Sequence, residues 1–170
     1  MGAGKTSVLG EASDILTLEN VAHAAIDLDA FGLAHLPSAD TSNDVVMYRN
    51  LQAVCKNYAA LGVRRFLVAR AMEDRTMLEA CRRAVSAKNT VVCRLTASTE
   101  TMRQRVKMRE SGVLHEPFIA RVEKLNSILD RALLEDFTLT SEDRSVNQIA
   151  REMLLKAGWI QSKPGDAASA

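Results

Sequence analysis

Six residues at the start of the chain have the types and spacing of a phosphate site: Gly2, Ala3, Gly4, Lys5, Thr6 and Ser7. The pattern G-x-x-x-x-G-K-S/T needs glycines so that consecutive backbone N–H groups can approach phosphate oxygens without a clashing side chain. Gly4, Lys5 and Thr6 fill its last three positions. Its first glycine, and the buried strand that normally leads into it, would fall before Met1. In this chemistry the helix opening at Lys5 supplies free N–H groups and the positive end of its dipole. Lys5 sits on the β- and γ-phosphates, and the Thr6 hydroxyl ligates magnesium. The alternative is a glycine-rich start at which Lys5 and Thr6 merely open an amphipathic helix.

Two further groups suit phosphoryl transfer, which asks for positioning and positive charge more than for covalent chemistry. Asp27 and Asp29 close an apolar run, "HAAIDLD", and a carboxylate at the C-terminal end of a parallel strand lies where α/β sheets place ligands. Arg105 and Arg109 are four apart, so on a helix they share one face and can meet the same anion. Their alternative roles are a strand end with its turn for the acids, and solvated partners of Glu100 or Glu110 for the arginines. His23, His35 and His115 match no metal pattern and read as structural.

The elements that must position these residues alternate. Helices are expected over Lys5 to about Leu18, Val45 to Leu61, a segment capped by Asp74 and running to Val85, Ser98 to Arg109 with Gly112 as its stop, Pro117 to Leu134, and a last one capped by Ser145 and closed by Gly158. Between them lie short continuous apolar runs: the "HAAIDLD" segment, Arg65 to Arg70, Thr90 to Leu95, and Phe137 to Thr140. Pro37, Ser38, Asp40, Ser42, Asn43 and Asp44 read as turn and cap formers, and the tail after Trp159 as disordered. Strands alternating with helices predict an α/β fold, a parallel sheet covered by helices on both faces.

Bulk properties narrow the class. The 170 residues are 47% apolar and 25% charged, with 22 basic against 21 acidic side chains. This describes one domain with an ordinary core. The balance gives no electrostatic footprint for nucleic acid or an anionic membrane, and no apolar run has the length of a membrane span. Cys55, Cys81 and Cys93 are odd in number and form no C-x-x-C, so they read as small core residues in a reducing, cytoplasmic protein.

The chain resembles the P-loop small-molecule kinases, in the branch holding adenylylsulfate kinases, gluconate-type kinases, zeta toxins and chloramphenicol phosphotransferases. Four stretches carry the likeness across most of Gly2 to Trp159: "GAGKTSVL", "AAIDLDAFG", "CRLTASTETMRQRVKMRE" and "DFTLTSEDRSVNQIAREML". The first is a recognised motif, and the others are looser patterns. The resemblance implies a three-layer αβα sandwich of the P-loop NTPase type that uses ATP and Mg2+ on a small-molecule substrate. It implies that Gly2 to Ser7 hold the phosphates and that Asp27 accepts the proton of the substrate hydroxyl. Asp29 positions substrate or a magnesium-bound water, and Arg105 and Arg109 act as lid arginines. Thr140 to Arg144 form the adenine loop, with Arg144 stacking on the base. Arg70 departs from the small or acidic residue expected at its strand end and leaves no clear second carboxylate for magnesium.

The resemblance also implies a strand order of 2-3-1-4-5 with the central first strand lacking from this chain. The neighbours of that strand would be "RFLVA" and "VVCRL", which either close up and pair or leave a gap that another chain fills. Three functional classes stay open: an ATP-dependent kinase of a hydroxyl-bearing small molecule, a nucleotide-binding module that does no chemistry, and an interaction domain that keeps only the fold.

Overall fold

Val8, Ala12, Ile15 and Leu16 recur at helical spacing and are all buried on one side of the first helix, α1 (Lys5–Leu18). It stops where Asn20 turns left-handed, at φ 54°. The structure is a computed structural model and describes residues 1–37, 42–109 and 115–162. Ser38, Asp40, Glu110, Gly112, the side chain of His115 and most of the expected disordered tail lie outside the described residues.

The remaining elements are β1 (Ala24–Asp27), a 3-10 helix (Leu28–Gly32), α2 (Asn43–Ala60), β2 (Phe66–Ala69), α3 (Arg75–Val85), β3 (Cys93–Thr96), α4 (Thr99–Arg109), α5 (His115–Ala132), β4 (Phe137–Thr140) and α6 (Val146–Lys156). Local chemistry sets several of the boundaries. The Asp74 carboxylate accepts the Met77 N–H at 2.8 Å and starts α3. Ser145 and Gln148 form a capping box at the start of α6. Gly62 and Gly158 adopt left-handed φ angles of 92° and 69° just past α2 and α6, as expected of helix stops.

Two strands differ from expectation. The first ends at Asp27 and does not continue to Asp29. The Asp27 carboxylate accepts the Asp29 N–H at 3.2 Å, which folds the chain into the 3-10 helix. The third begins at Cys93, not Thr90. Asp136 accepts the Val92 N–H with its side chain and donates its own N–H to the Val92 carbonyl, so regular pairing starts one residue later.

The expected single sheet is present as two parallel pairs. β1 lies beside β2 in the register Ala24↔Phe66 to Asp27↔Ala69, and β3 beside β4 in the register Cys93↔Phe137 to Thr96↔Thr140. β2 and β3 are not paired with each other. Helices cover both sides of β2. Leu67 packs into a cluster built by α1, α6 and Leu139, whereas Phe66 and Val68 pack into one built by Ile26, α2 and α3. A third cluster joins Ala3 to Met102 and Val106 of α4 and Val122 of α5. Cys55 and Cys81 are buried core residues, Cys93 is half-buried, and all three are free. Among the described residues no helix is long and apolar enough to cross a membrane.

Candidate functional site

The opening turn is held by backbone conformations that suit glycine. Gly2 has φ 74° and Gly4 φ 88°. A Cβ on Gly2 would lie 2.4 Å from the Met102 carbonyl oxygen, so only glycine lets the turn rest on α4. Gly4 is the N-cap of α1 and caps it with no side chain. The amides of Lys5, Thr6 and Ser7 therefore open the helix without intrahelical partners and beside the positive end of its dipole.

Thr6 and Asp27 meet directly. The Thr6 hydroxyl donates to Oδ2 of Asp27 at 2.7 Å, across the C-terminal end of β1. Asp27 Oδ1 meanwhile accepts the Asp29 N–H. Arg70 takes a different part. At the end of β2, the Arg70 guanidinium reaches Asp29 at 3.0 Å and Asp44 of α2 at 2.9 Å. Its own side chain is only 16% exposed. The sequence alone marks Arg70 only as a departure from a pattern. The register Asp27↔Ala69 was the missing signal, because it sets the residues after β1 beside Arg70.

A cleft of about 640 Å³ opens at this edge, lined by Met1, Lys5, Asp29, Arg70, Glu73 and Arg121 among others. Arg121 of α5 crosses to Glu73 at 2.8 Å. Neither residue carried a role in the sequence reading. The corner is electropositive. Burial first, and then the charges of Lys5, Arg109 and Arg121, push the Met1 ammonium down from its ordinary value near 8 to about 6, with Asp29 opposing them.

The two arginines expected to share one anion part company. Arg105 turns inward and donates to the Ser141 hydroxyl at 2.8 Å, the Ser141 carbonyl at 2.8 Å and the Gly2 carbonyl at 3.3 Å. Ser141 is itself buried. Arg105 thus ties α4 and the end of β4 to the glycine turn, while Arg109, at the last residue of α4, bears on the Met1 amine. In the expected adenine loop Arg144 pairs with Glu152 of α6 at 2.6 Å. Glu142 accepts the Thr101 hydroxyl at 2.7 Å, and hydrogen bonds from Ser98 and Thr101 hold its carboxyl below the usual range.

His23 and His35 stay apart from this site. His23 is held between the Ser13 hydroxyl and the Val21 carbonyl, each at 2.8 Å, and His35 is exposed on the loop before α2. Among the described residues no group of three or more His, Cys, Asp or Glu side chains could hold a metal ion. Magnesium held largely by phosphate oxygens needs only one or two protein ligands, and the Thr6–Asp27 pair is of that kind.

The glycine turn, the Thr6–Asp27 pair and the Arg70-centred acids therefore share one edge of the first strand pair, with Lys5 in the cleft beside them. Comparison of the chain with protein-family models, with curated proteins and with solved structures returns no match.

Proposed function

We propose that the chain is an ATP-binding P-loop protein that transfers the γ-phosphate to a small hydroxyl-bearing molecule. The observation that carries this reading is the Thr6–Asp27 hydrogen bond at the mouth of α1, beside Lys5 and the uncapped helix amides. The residues fit the ligand chemistry: Gly2 and Gly4 let the main chain approach an anion, and Lys5, Arg109 and Arg121 surround the place with positive charge. In this reading the amides of Gly4 to Ser7 and the Lys5 ammonium hold the phosphates, and Thr6 supplies a hydroxyl to the magnesium. Asp27 receives the substrate proton. A carboxylate has about four acceptor positions, so Asp27 can take a further donor beside Thr6 and the Asp29 N–H.

The two parallel strand pairs are then halves of one three-layer αβα sandwich, and three free cysteines suit a reducing cytoplasm. The test is calorimetric titration with ATP and magnesium, followed by turnover assays across hydroxyl-bearing substrates. Binding that Lys5→Ala removes, with slow turnover that Asp27→Asn abolishes while binding remains, supports the kinase. Absence of any ATP binding defeats it.

One observation favours a second reading, a nucleotide-binding module without chemistry. Arg70 engages Asp29 and Asp44 together, so the second acid is held by an ion pair where a substrate or water would otherwise meet it. Binding without turnover under every condition would select this reading.

A further inference from the structure

The near balance of charge over the whole chain conceals a local excess. Residues 45–72 carry five basic side chains and residues 80–99 carry four, and neither stretch holds an acidic one. Three of these cations are held within the fold: Arg70 by Asp29 and Asp44, Arg82 by Glu79, and Arg94 by Asp130 and Glu135. Arg64 donates to the Ala59 and Val63 carbonyls and closes α2. Arg49 lies further back along α2. Lys56, Arg65, Arg83 and Lys88 remain, and all four are exposed.

The fold gathers these four at one end. α2 leads into β2, and α3 into β3, so both helices finish at the edge where the strands begin. Cys55 of α2, Cys81 and Ala84 of α3, and Phe66 at the start of β2 pack in one cluster. Lys56, Arg65 and Arg83 are chain neighbours of these packed residues, and Lys88 follows three residues after α3. Two apolar side chains stand among the cations: Leu61 is 82% exposed and Tyr58 is 42% exposed. Gly62 turns the chain just after Leu61, at φ 92°, and the leucine projects from that turn. Cations near a helix C-terminus complement its dipole. That role accounts for neither the projecting leucine nor Arg65 and Lys88, which lie outside the helices.

We propose that this edge is a docking surface for an anionic lipid bilayer, on which the protein lies without spanning it. The four cations have long stems that carry their charges to lipid phosphates and carboxylates. Leu61 and the ring of Tyr58 then enter the boundary between headgroups and acyl chains. A bilayer fits this surface better than an acidic protein does. A fluid interface closes around a projecting leucine, whereas a protein partner must offer a pocket shaped to it. The Thr6–Asp27 pair stands at the opposite end of the strands, so docking leaves that site open to water. This inference does not rest on nucleotide binding and stands whether or not the site holds ATP.

The test is co-sedimentation of the protein with two kinds of vesicle, at low and at high salt. One is phosphatidylcholine alone, and the other is phosphatidylcholine and phosphatidylserine in equal parts. Binding is expected only to the second, and it is expected to fall steeply as salt rises. Lys56→Gln and Lys88→Gln are each expected to weaken it by about fivefold, the worth of one cation at an anionic surface. Leu61→Ser is expected to weaken it by about tenfold and to leave its salt dependence unchanged. Arg75→Gln removes an exposed cation from the opposite end of α3 and is expected to change binding little. All four positions are exposed, so the variants are expected to melt with the parent. Absence of pelleting with the phosphatidylserine vesicles at low salt would overturn the proposal, as would equal binding to both kinds. An equal loss from Arg75→Gln would overturn it by showing attraction to the whole surface. Binding weakened by the two lysine variants but untouched by Leu61→Ser would also overturn it, in favour of an acidic protein or a nucleic acid.

Discussion

The Thr6 hydroxyl donates to the Asp27 carboxylate at 2.7 Å, joining the first turn of α1 to the end of β1 across 21 residues of sequence. This bond is solvent-exposed, so its value to stability is small. Thr6→Val and Asp27→Asn are therefore expected to fold, with unfolding free energies within about 1 kcal/mol of the parent. In the proposed kinase their effect belongs to ligand binding. If the chain binds ATP as proposed, Lys5→Ala is expected to weaken its affinity by about 10- to 100-fold, the range of one charge-assisted hydrogen bond. Thr6→Val is expected to remove the magnesium dependence of binding. Asp27→Asn is expected to retain binding and lose turnover. Calorimetry with and without magnesium, alongside denaturant melts, separates these outcomes. Loss of fold in Asp27→Asn would show that the pair is structural.

Gly2 and Gly4 both have positive φ, yet they differ in what surrounds them. A Cβ on Gly4 would meet nothing within 4 Å, whereas one on Gly2 would press on the Met102 backbone at 2.4 Å. Gly4→Ala is expected to lose only the conformational term, about 1–2 kcal/mol. Gly2→Ala adds a backbone collision, for which overpacking of about 1–3 kcal/mol is usual, and it shifts the carbonyl that Arg105 holds. Urea unfolding of the two variants checks the order, with Gly2→Ala the less stable.

The same residues show which links are legible in the sequence alone. Periodicity and capping chemistry fix local structure, so α1, the Asp74 start of α3, the four residues of β4 and the Ser145 start of α6 all stand where their side chains put them. Spacing also says that Arg105 and Arg109 share a helix face, but it does not say what stands opposite. Arg105 meets the buried Ser141 and the Gly2 carbonyl, partners 36 and 103 residues away. The strand at Cys93 starts late for a similar reason, because Asp136, far along the chain, takes the Val92 N–H. The role of Arg70 depends on which strand lies beside β2, and that is a property of register.

Titration of the Met1 amine supplies a pH test. In the folded chain its pKa falls to about 6 from a value near 8. Between these values the unfolded chain binds more protons than the folded one, so stability is expected to rise as pH goes from about 6 to about 8. Below that window both states are protonated and the penalty of the buried ammonium is complete. Above it both are neutral and the penalty is gone. Acetylating the amine removes the group. The acetylated chain is expected to exceed the free chain in urea midpoint by a constant margin below pH 6, by a shrinking one through the window, and by none above pH 8. The difference between the two chains cancels every contribution they share.

Arg70 offers the sharpest separation of the kinase from the silent binding module. Its guanidinium holds Asp29 and Asp44, whose side chains are 61% and 56% exposed. Both acids stay hydrated if it is removed, so the loss of stability is expected to be modest, about 1 kcal/mol, with part of it due to the lost packing of the nearly buried arginine stem. Arg70→Met keeps most of that stem and removes the charge. If Asp29 positions a substrate, freeing it changes KM for the hydroxyl-bearing molecule while ATP affinity changes little, because Lys5 and the helix amides are untouched. If the ion pair is what keeps Asp29 from acting, Arg70→Met raises turnover from its basal level. Unaltered KM and turnover, together with unaltered ATP affinity, would remove Asp29 from the site and leave the Arg70 pairs a tie between β2, the 3-10 helix and α2. Steady-state kinetics on Arg70→Met and Asp29→Asn, each beside its own ATP titration, distinguishes the three.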